Sequence, residues 1–384
     1  MFDSLIRFIR DQYCTEEFIP LHAPVFRGRE RVLVTDTIDS TFVSSVGAYV
    51  DRFEKDMATF TTSPSAVAVM NGTAALHMAL KLVDVVPGDL VVTQSLTFVA
   101  TCNAITYCGA EPLFVDVDRH TLGLSPSALE AWLSEHALID DHGDCRTRVG
   151  HRRISACLPM HTFGHPVEID ELLTVCKRWH LTLVEDAAES LGSYYKGRHT
   201  GNFGKIGVLS FNGNKIITTG GGGMLLTDEI IGKRAKHLTT TAKIPHPYEF
   251  VHDEIGYNYR LPNLNAALGC AQLEQLPSFL ASKRVLALRY IDFFKGSDLQ
   301  FIVEPKDCCS NYWLNGVICH DGGQRDELLK STNKSGVMTR PIWTLMTRLP
   351  LFTNALRGPL DNAEWLEARV VNLPSSVLPE EREA

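Results

Sequence analysis

Residues 66–83 read AVAVMNGTAALHMALKLV, and this stretch indicates the fold class. Residues 66–70 form an apolar run of strand length, the polar group Asn71-Gly72-Thr73 interrupts it, and residues 74–83 have the composition of a helix. The same alternation of strand-like and helix-like segments continues through the first two-thirds of the chain. It predicts an α/β fold in which a mostly parallel sheet is covered by helices on both faces.

Beyond this stretch, the apolar pattern predicts further elements and a change of architecture near residue 251. Strands are predicted at residues 90–93, 113–117, 154–160, 181–184, 206–211 and 224–226, and helices at residues 127–135 and 168–179. A helix-rich segment at residues 263–294 is followed by a strand at 312–319 and a helix at 325–330. We therefore predict an N-terminal helix at residues 1–20, a large domain at residues 21–250 and a smaller C-terminal α+β domain at residues 251–384.

Composition and charge exclude several classes of protein. The 384 residues are 45% hydrophobic and 21% charged, which is typical of a globular chain with a large core. The net charge is −8, so the chain lacks the basic character of a nucleic-acid binder. The cysteines include no C-x-x-C pair, and the uncharged residues 90–110 are too polar for a membrane span. We expect a cytoplasmic protein with reduced thiols and neither a nucleic-acid nor a membrane partner.

The polar turn Asn71-Gly72-Thr73, between a predicted strand and a predicted helix, is a candidate anion site. The first N–H groups of a helix have no intrahelical partner and lie at the positive end of its dipole, so a phosphate binds there readily. Gly72 would let the backbone approach the phosphate closely, and Thr73 would add a hydroxyl donor. The alternative is an ordinary helix cap at Asn71 or Thr73.

Two charged side chains follow predicted strands. Asp186 comes after residues 181–184, at a strand end that faces the ligand crevice in open α/β sheets, and a buried carboxylate there needs a cationic partner. Lys215 follows residues 206–211 in a turn rich in Gly and Asn, and a desolvated lysine amine can attack an aldehyde. A protonated pyridine nitrogen beside Asp186 and an aldehyde bound to Lys215 are two features of a pyridoxal 5'-phosphate (PLP) site. The alternatives are a helix-capping Asp and a solvated turn lysine.

Three further motifs are less informative. Residues 256–262 (GYNYRLP) combine aromatics, an amide and a cation, and the alternative to a site is a domain-linking loop with packing aromatics. His161 and His165 have the H-x-x-x-H spacing of metal ligands on a helix, but a glycine and a proline interrupt that helix, so we expect no metal site. The glycine run 220–223 lacks the G-x-G-x-x-G spacing that a nicotinamide oxidoreductase would need.

Taken in order, these motifs resemble the DegT/StrS family of sugar-nucleotide aminotransferases, which are PLP enzymes of the aspartate-aminotransferase-like fold (fold type I). The resemblance covers nearly the whole chain, from about residue 18 onward. The motifs that carry it are PLHAP (20–24), VSSVG (43–47), NGTAAL (71–76), TFVA (97–100), FVDVD (114–118), EDAAES (185–190), SFNGNK (210–215) and GYNYR (256–260). It implies a mostly parallel seven-stranded sheet flanked by helices, with a smaller C-terminal α+β domain.

The resemblance also implies roles for the matching residues. Lys215 stands where the family lysine binds PLP covalently, and Asp186 stands where an Asp pairs with the pyridine nitrogen. The other cofactor contacts are assigned to Gly72, Thr73 and Ser210 at the phosphate, Phe98 on the ring face, Glu189 near the phenolic oxygen, and Asn258 at the phosphate of the neighbouring subunit. Glu189, where relatives often carry Gln or His, is either protonated or directed at substrate. The position of Asn258 implies a homodimer with shared active sites.

The substrates follow from the same resemblance. Glutamate is the expected amino donor. Three stretches are most similar to enzymes that act on UDP-4-keto-6-deoxy-N-acetylhexosamines: residues 210–223, 310–313 and 339–343. Those enzymes give 4-amino sugars for surface polysaccharides such as lipopolysaccharide. Substrate contacts are expected at Ser45, Tyr259, Trp313, Trp343 and Arg340. The two tryptophans could equally be core residues of the small domain. A 3-keto sugar acceptor and a non-catalytic PLP-binding regulator are the alternatives, although an intact Lys215 and Asp186 favour catalysis.

Overall fold

The computed structural model describes residues 2–380, and the predicted domain limits at residues 1 and 384 lie outside this range. The helices of the described chain are α1 (Asp3–Tyr13), α2 (Glu30–Asp39), α3 (Ala48–Thr61), α4 (Gly72–Leu82), α5 (Val99–Tyr107), α6 (Pro126–His136), α7 (Ile169–Arg178), α8 (Glu229–Thr239), α9 (Asn263–Phe293), α10 (Gly322–Lys334) and α11 (Asp361–Glu367). The strands are β1 (Ser65–Val69), β2 (Leu90–Gln94), β3 (Glu111–Val115), β4 (Ala137–Ile139), β5 (Cys145–Thr147), β6 (Ile154–Leu158), β7 (Thr182–Asp186), β8 (Tyr194–Tyr195), β9 (Arg198–His199), β10 (Ile206–Ser210), β11 (Gly223–Thr227), β12 (Lys243–Ile244), β13 (Val251–His252), β14 (Gln300–Phe301), β15 (Cys308–Cys309), β16 (Asn315–Ile318), β17 (Arg340–Pro341) and β18 (Val370–Leu373).

The largest sheet has seven strands in the order β1-β11-β10-β7-β6-β2-β3. Neighbouring strands from β10 to β3 are parallel, whereas β11 is antiparallel to both β10 and β1. Parallel strands need crossover connections, and these place helices on both faces of the sheet, so strands such as β2 are buried at every residue. The predicted α/β fold with a mostly parallel seven-stranded sheet is confirmed.

The stretch that indicated the fold class forms β1, a turn and α4. Asn71 has an extended backbone, and its side-chain oxygen accepts a hydrogen bond from Ala74 N (2.8 Å), so Asn71 caps the helix. Most residues of α4 are buried, and the helix lies against α5, β10 and β11. The N-terminus of α4 therefore opens at the same sheet edge at which the parallel strands end.

A second, four-stranded antiparallel sheet follows the 31-residue helix α9 and has the order β14-β16-β18-β17. The N-terminal helix α1 packs beside it, with Ile9 in the same buried cluster as Tyr290 of α9. The apolar core is continuous between the two sheets, because Leu209 of β10 and Val370 of β18 belong to one cluster. The predicted division near residue 250 stays a prediction.

The structure contains helices that the sequence pattern did not predict, namely α2, α3, α5, α8 and α11. In α5 (VATCNAITY), β-branched residues are weak helix formers and the apolar residues do not follow a helical period. Burial against the sheet stabilises this helix in place of intrinsic propensity. Strand β7 also extends two residues further than predicted, so the Asp186 carboxylate lies on the strand itself. Among the described residues, no helix has both the length and the apolar character that a bilayer-spanning segment requires.

Candidate active site

A cavity of about 320 Å³ lies at the carboxyl ends of the parallel strands. This is the edge at which open α/β sheets bind their ligands, and the volume suits a small cofactor or metabolite. The cavity is lined by Asn71, Gly72, Thr73, Leu76, Phe98, Ala100, Met160, Asp186, Ala188, Glu189, Ser210, Asn212, Asn214, Lys215, Trp313 and Trp343. Most of the predicted cofactor residues are thereby brought together, and so are the two predicted tryptophans.

One end of the cavity is suited to an anion. Gly72 and Thr73 are the first residues of α4, so their N–H groups precede the first helical hydrogen bond. Ser210, the last residue of β10, lies against Gly72: a Cβ at position 72 would be 2.9 Å from the Ser210 Cβ. The contact therefore favours glycine at position 72, and the hydroxyl-bearing residues Thr73 and Ser210 line the same end of the cavity.

Asp186 supplies a buried carboxylate at the end of β7, with 3% of the residue exposed. Its Oδ2 accepts a hydrogen bond from the Thr101 hydroxyl (2.7 Å), and its Oδ1 accepts one from Ala188 N (3.2 Å). Burial raises the pKa of Asp186 above its ordinary value, and these hydrogen bonds and the charge of Lys215 oppose that effect. A cationic ligand atom facing Asp186 would hold the carboxylate in its charged form.

Lys215 and Glu189 form a contact between charged groups inside the cavity. The Lys215 Nζ lies 3.3 Å from Glu189 Oε1, and the two side chains are 12% and 2% exposed. The other Glu189 oxygen accepts a hydrogen bond from Phe163 N (2.9 Å), which fixes the carboxylate in place. Burial raises the pKa of Glu189, and the Lys215 charge opposes this. Glu189 is thus directed at the amine, in the cavity where the resemblance implied it.

Three aromatic side chains form the walls. Phe98, which precedes α5, is 49% exposed although it lines the cavity, so one ring face is open to a flat ligand. The Trp313 ring centroid lies 3.9 Å from the Lys215 Nζ, and its indole N–H donates to the Asn214 carbonyl (2.7 Å). Trp343 packs at 5.2 Å against Phe163. Both tryptophans pack against neighbouring residues and also line the cavity, so a core position and a substrate contact are compatible for each of them.

Four predicted residues lie away from this cavity within one chain. The Tyr259 hydroxyl pairs with His77 Nδ1 (3.0 Å), and Arg340 is exposed on β17. Ser45 lines a separate basic depression of about 620 Å³ together with Lys243, His246 and Arg260, among others. Asn258 is exposed and accepts hydrogen bonds from Arg260 into its side-chain oxygen. The roles of these four residues stay predictions.

The sequence pattern missed the residues that support Asp186. Thr101 lies on the unpredicted helix α5, and its hydroxyl donates to Asp186 and lies 3.0 Å from the Thr97 hydroxyl, which donates to Met160 Sδ. His161 donates from Nε2 to Glu185 (3.0 Å), because its Nδ1 accepts from Val167 N. These hydrogen bonds are those of a packed histidine, and the structural role expected of His161 stays a prediction. Thr101 lies in a segment of mixed polar and apolar residues, which carries no sequence signal of its contact with Asp186.

Comparisons with known proteins agree with this geometry. The model of the DegT/DnrJ/EryC1/StrS aminotransferase family matches residues 26–383. The GDP-perosamine synthase of Escherichia coli O157:H7 is 36% identical over 94% of this chain and 93% of its own. That of Caulobacter vibrioides is 33% identical over 93% of each. Among solved structures, the aminotransferase TlmJ from Streptoalloteichus hindustanus superposes with a TM-score of 0.83 at 28% identity, covering 93% of both chains.

Proposed function

Because the chain belongs to the DegT/DnrJ/EryC1/StrS aminotransferase family, we propose that it transfers an amino group from glutamate to the C4 carbonyl of a nucleotide-linked 4-keto-6-deoxy sugar. The coarser activity is that of a PLP-dependent sugar aminotransferase. One feature of the cavity carries the assignment of PLP-dependent amino transfer: the Lys215 amine and the Asp186 carboxylate line the same small cavity, next to the N-terminus of α4. An amine, a carboxylate and an anion-binding helix end therefore line one cavity, where a single ligand could contact all three.

The residues of the cavity fit PLP. Gly72, Thr73 and Ser210 would hold the phosphate, since a Cβ at position 72 would close the space between the helix end and β10. Asp186 would face the ring nitrogen, and its raised pKa reflects a buried carboxylate without a cation of that kind. When bound, PLP withdraws electrons from the carbon that exchanges its amino group.

Lys215 would then bind the cofactor and move the proton of the reacting carbon. Lys215→Ala should abolish transamination and the borohydride-stable attachment of PLP to the protein, because no other amine lines the cavity within the described residues. Lys205→Ala is the matched control, since Lys205 pairs with Asp228 on the surface and is 53% exposed. A Lys215→Ala protein that still carries covalently attached cofactor after borohydride reduction and denaturation, as detected by protein mass, would refute this assignment.

The identity of the nucleotide that carries the acceptor sugar, UDP or GDP, is a separate part of the proposal. The motifs resemble enzymes for UDP-4-keto-6-deoxy-N-acetylhexosamines, and we propose this acceptor first. A GDP-linked 4-keto-6-deoxy sugar is the second candidate, because three relatives above 30% identity are named GDP-perosamine synthase. The protein should be incubated with glutamate and each 4-keto or 3-keto sugar nucleotide, and the product mass should be measured. Amination of 3-keto acceptors alone would overturn the proposal, as would PLP binding without any turnover, which is the behaviour of a regulator.

We also propose a homodimer in which each active site receives residues from both subunits. Asn258 is exposed, and beside it the chain presents Phe250 and Ile255 at 81% and 85% exposure. Such apolar residues favour burial by a second copy. Mixed subunits carrying Lys215→Ala and Asn258→Ala should recover activity, since half of the sites in a mixed dimer would lack neither residue. Inactive mixtures that still form heterodimers would contradict shared sites.

The location of the reaction is inferred from the thiols. All ten cysteines are free, and seven of them are buried. Persistent free thiols are typical of a reducing compartment, so we infer that the reaction takes place in the cytoplasm. Cell fractionation with an antibody to the chain tests this directly.

A further inference from the structure

Lys283 carries a buried amine that does not line the cavity. It lies within α9 with no exposed surface, although lysine is almost never fully buried without partners. Its Nζ donates hydrogen bonds to the backbone carbonyls of Trp313 (3.1 Å) and Ser375. Burial lowers the pKa of Lys283 to about 7. Burying this side chain is costly, and its two hydrogen bonds fix the positions of the backbone segments at Trp313 and Ser375.

The segment that Lys283 holds is strained. Tyr312 has a φ of 46°, in the left-handed region that side chains other than glycine rarely adopt. Trp313 follows directly, and its N–H donates to the Asn311 side chain (2.8 Å). Such a conformation persists only where the surroundings determine it from several sides. The Lys283 hydrogen bond to the Trp313 carbonyl is one of these constraints.

The indole ring of Trp313 contacts the Lys215 amine. The indole N–H is tied to the Asn214 carbonyl, next to Lys215, and the Lys215 Nζ lies 3.9 Å from the ring centroid. A cation over an aromatic face is attracted to it, so the ring position affects where the amine rests. The connection runs from Lys283 through the Trp313 carbonyl and ring to Lys215.

His22 lies near both lysines and does not neutralise either of them. Its two ring nitrogens are buried and have no hydrogen-bond partner within the described part of the chain. Burial, followed by the charges of Lys283 and Lys215, lowers the pKa of His22 well below its ordinary value. The imidazole is therefore neutral, and the Trp313 and Ser375 carbonyls remain the groups that stabilise the Lys283 amine.

We propose that Lys283 is a positioning residue that keeps the Trp313 indole against the Lys215 amine by holding the strained turn at residues 310–313. This rests on the proposed function of Lys215. The role is that of a positioning residue and not of a catalytic one, because Lys283 is separated from the cavity by the backbone of Trp313.

The test combines Lys283→Met with a Trp313→Phe background. Lys283→Met keeps the length of the side chain and removes its donors, so the Trp313 carbonyl loses its partner. The fluorescence of Trp313 is obtained by subtracting the signal of the Trp313→Phe protein. In the apoprotein, Lys283→Met should increase the quenching of this fluorescence by acrylamide, since Trp313 is only 4% exposed before the substitution. In the holoenzyme, the half-reaction with glutamate should slow about tenfold in the Trp313 background and by less than about twofold in the Trp313→Phe background.

Two further variants keep the outcome interpretable. Lys283→Gln retains an N–H donor and should give an intermediate effect, and it replaces Lys283→Met if the latter does not fold. Lys330→Met, at an exposed position of α10, is the matched control and should change neither readout. Equal slowing in both backgrounds, or unchanged quenching of Trp313, would overturn the proposal. A wild-type protein that does not bind PLP at Lys215 would instead refute the proposed function, while the quenching measurement on the apoprotein would still apply.

Discussion

Replacing Asp186 with Asn tests whether the buried negative charge of this side chain is needed at the proposed site. The substitution preserves size but removes the charge, and its amide NH₂ cannot accept the hydrogen bond that either Thr101 or Ala188 donates to the carboxylate. Because Asp186 is 3% exposed, little water can replace the lost interaction. Removing one partner of a buried ion pair costs about 3–5 kcal/mol, which corresponds to a rate reduced by about two to four decades.

The rate to measure is that of the half-reaction with glutamate, followed by the visible absorbance of bound PLP after rapid mixing. Thr101→Val removes a single hydrogen bond to the charged oxygen and should slow the reaction by about ten- to a hundredfold. Asp170→Asn, which removes an exposed carboxylate paired with Lys196, is the control and should leave the rate unchanged. An Asp186→Asn rate within about fivefold of wild type would refute the reasoning, since so small a change is less than a buried charge contributes.

The same substitution should stabilise the protein without cofactor. Burial raises the pKa of Asp186 in the folded state, so the folded protein releases this proton at higher pH than the unfolded chain does. As pH rises through the folded-state pKa, the stability of the apoprotein that depends on this group is lost. At neutral pH, apo Asp186→Asn should therefore unfold at a higher temperature than the apo wild type. The difference should narrow as the pH is lowered and Asp186 becomes protonated; a constant difference would contradict this account.

Two other substitutions follow from the geometry of the cavity. Gly72→Ala places a Cβ 2.9 Å from the Ser210 Cβ and should weaken PLP binding about tenfold by titration of the apoprotein, whereas Gly213→Ala, with nothing within 4 Å of its Cβ, should bind PLP normally. Glu189→Gln removes the charge beside Lys215, and burial raises the pKa of Glu189, so wild type and variant should have similar half-reaction rates below that pKa and diverge above it. A ratio of rates that is constant with pH would show that the Glu189 charge is not involved.

Short-range patterns were sufficient to predict the elements that hold the predicted cofactor residues. Asn71, Gly72 and Thr73 lie at a strand-to-helix turn, and Lys215 follows a strand, so alternating apolar runs located them within a residue or two. The residues of the C-terminal sheet were harder to assign. Trp313 and Trp343 reach the cavity through tertiary packing, and only the family resemblance suggested that they contact substrate.

Contacts between distant segments could not be predicted from local patterns. Thr101 reaches Asp186 because α5 packs on the sheet, although its sequence has neither the period nor the propensity of a helix. Lys283 occurs among alternating polar and apolar residues of a long helix, where a lysine is ordinarily solvated. Its partners are the carbonyls of Trp313 and Ser375, 30 and 92 residues further along the chain, so no local window of sequence predicts its burial.

The distribution of buried charge explains why both sheets are needed for the site. Asp186, Glu189 and Lys215 lie on or beside the first sheet, and the two buried carboxylates cost folding free energy because their burial is incompletely compensated. A ligand that binds only the native state restores stability in proportion to its affinity, so the holoenzyme should tolerate these groups better than the apoprotein. Trp313 closes the cavity from the second sheet and is held there by Lys283. A mutation that loosens this docking would therefore displace the ring from Lys215 while leaving every predicted PLP contact in place.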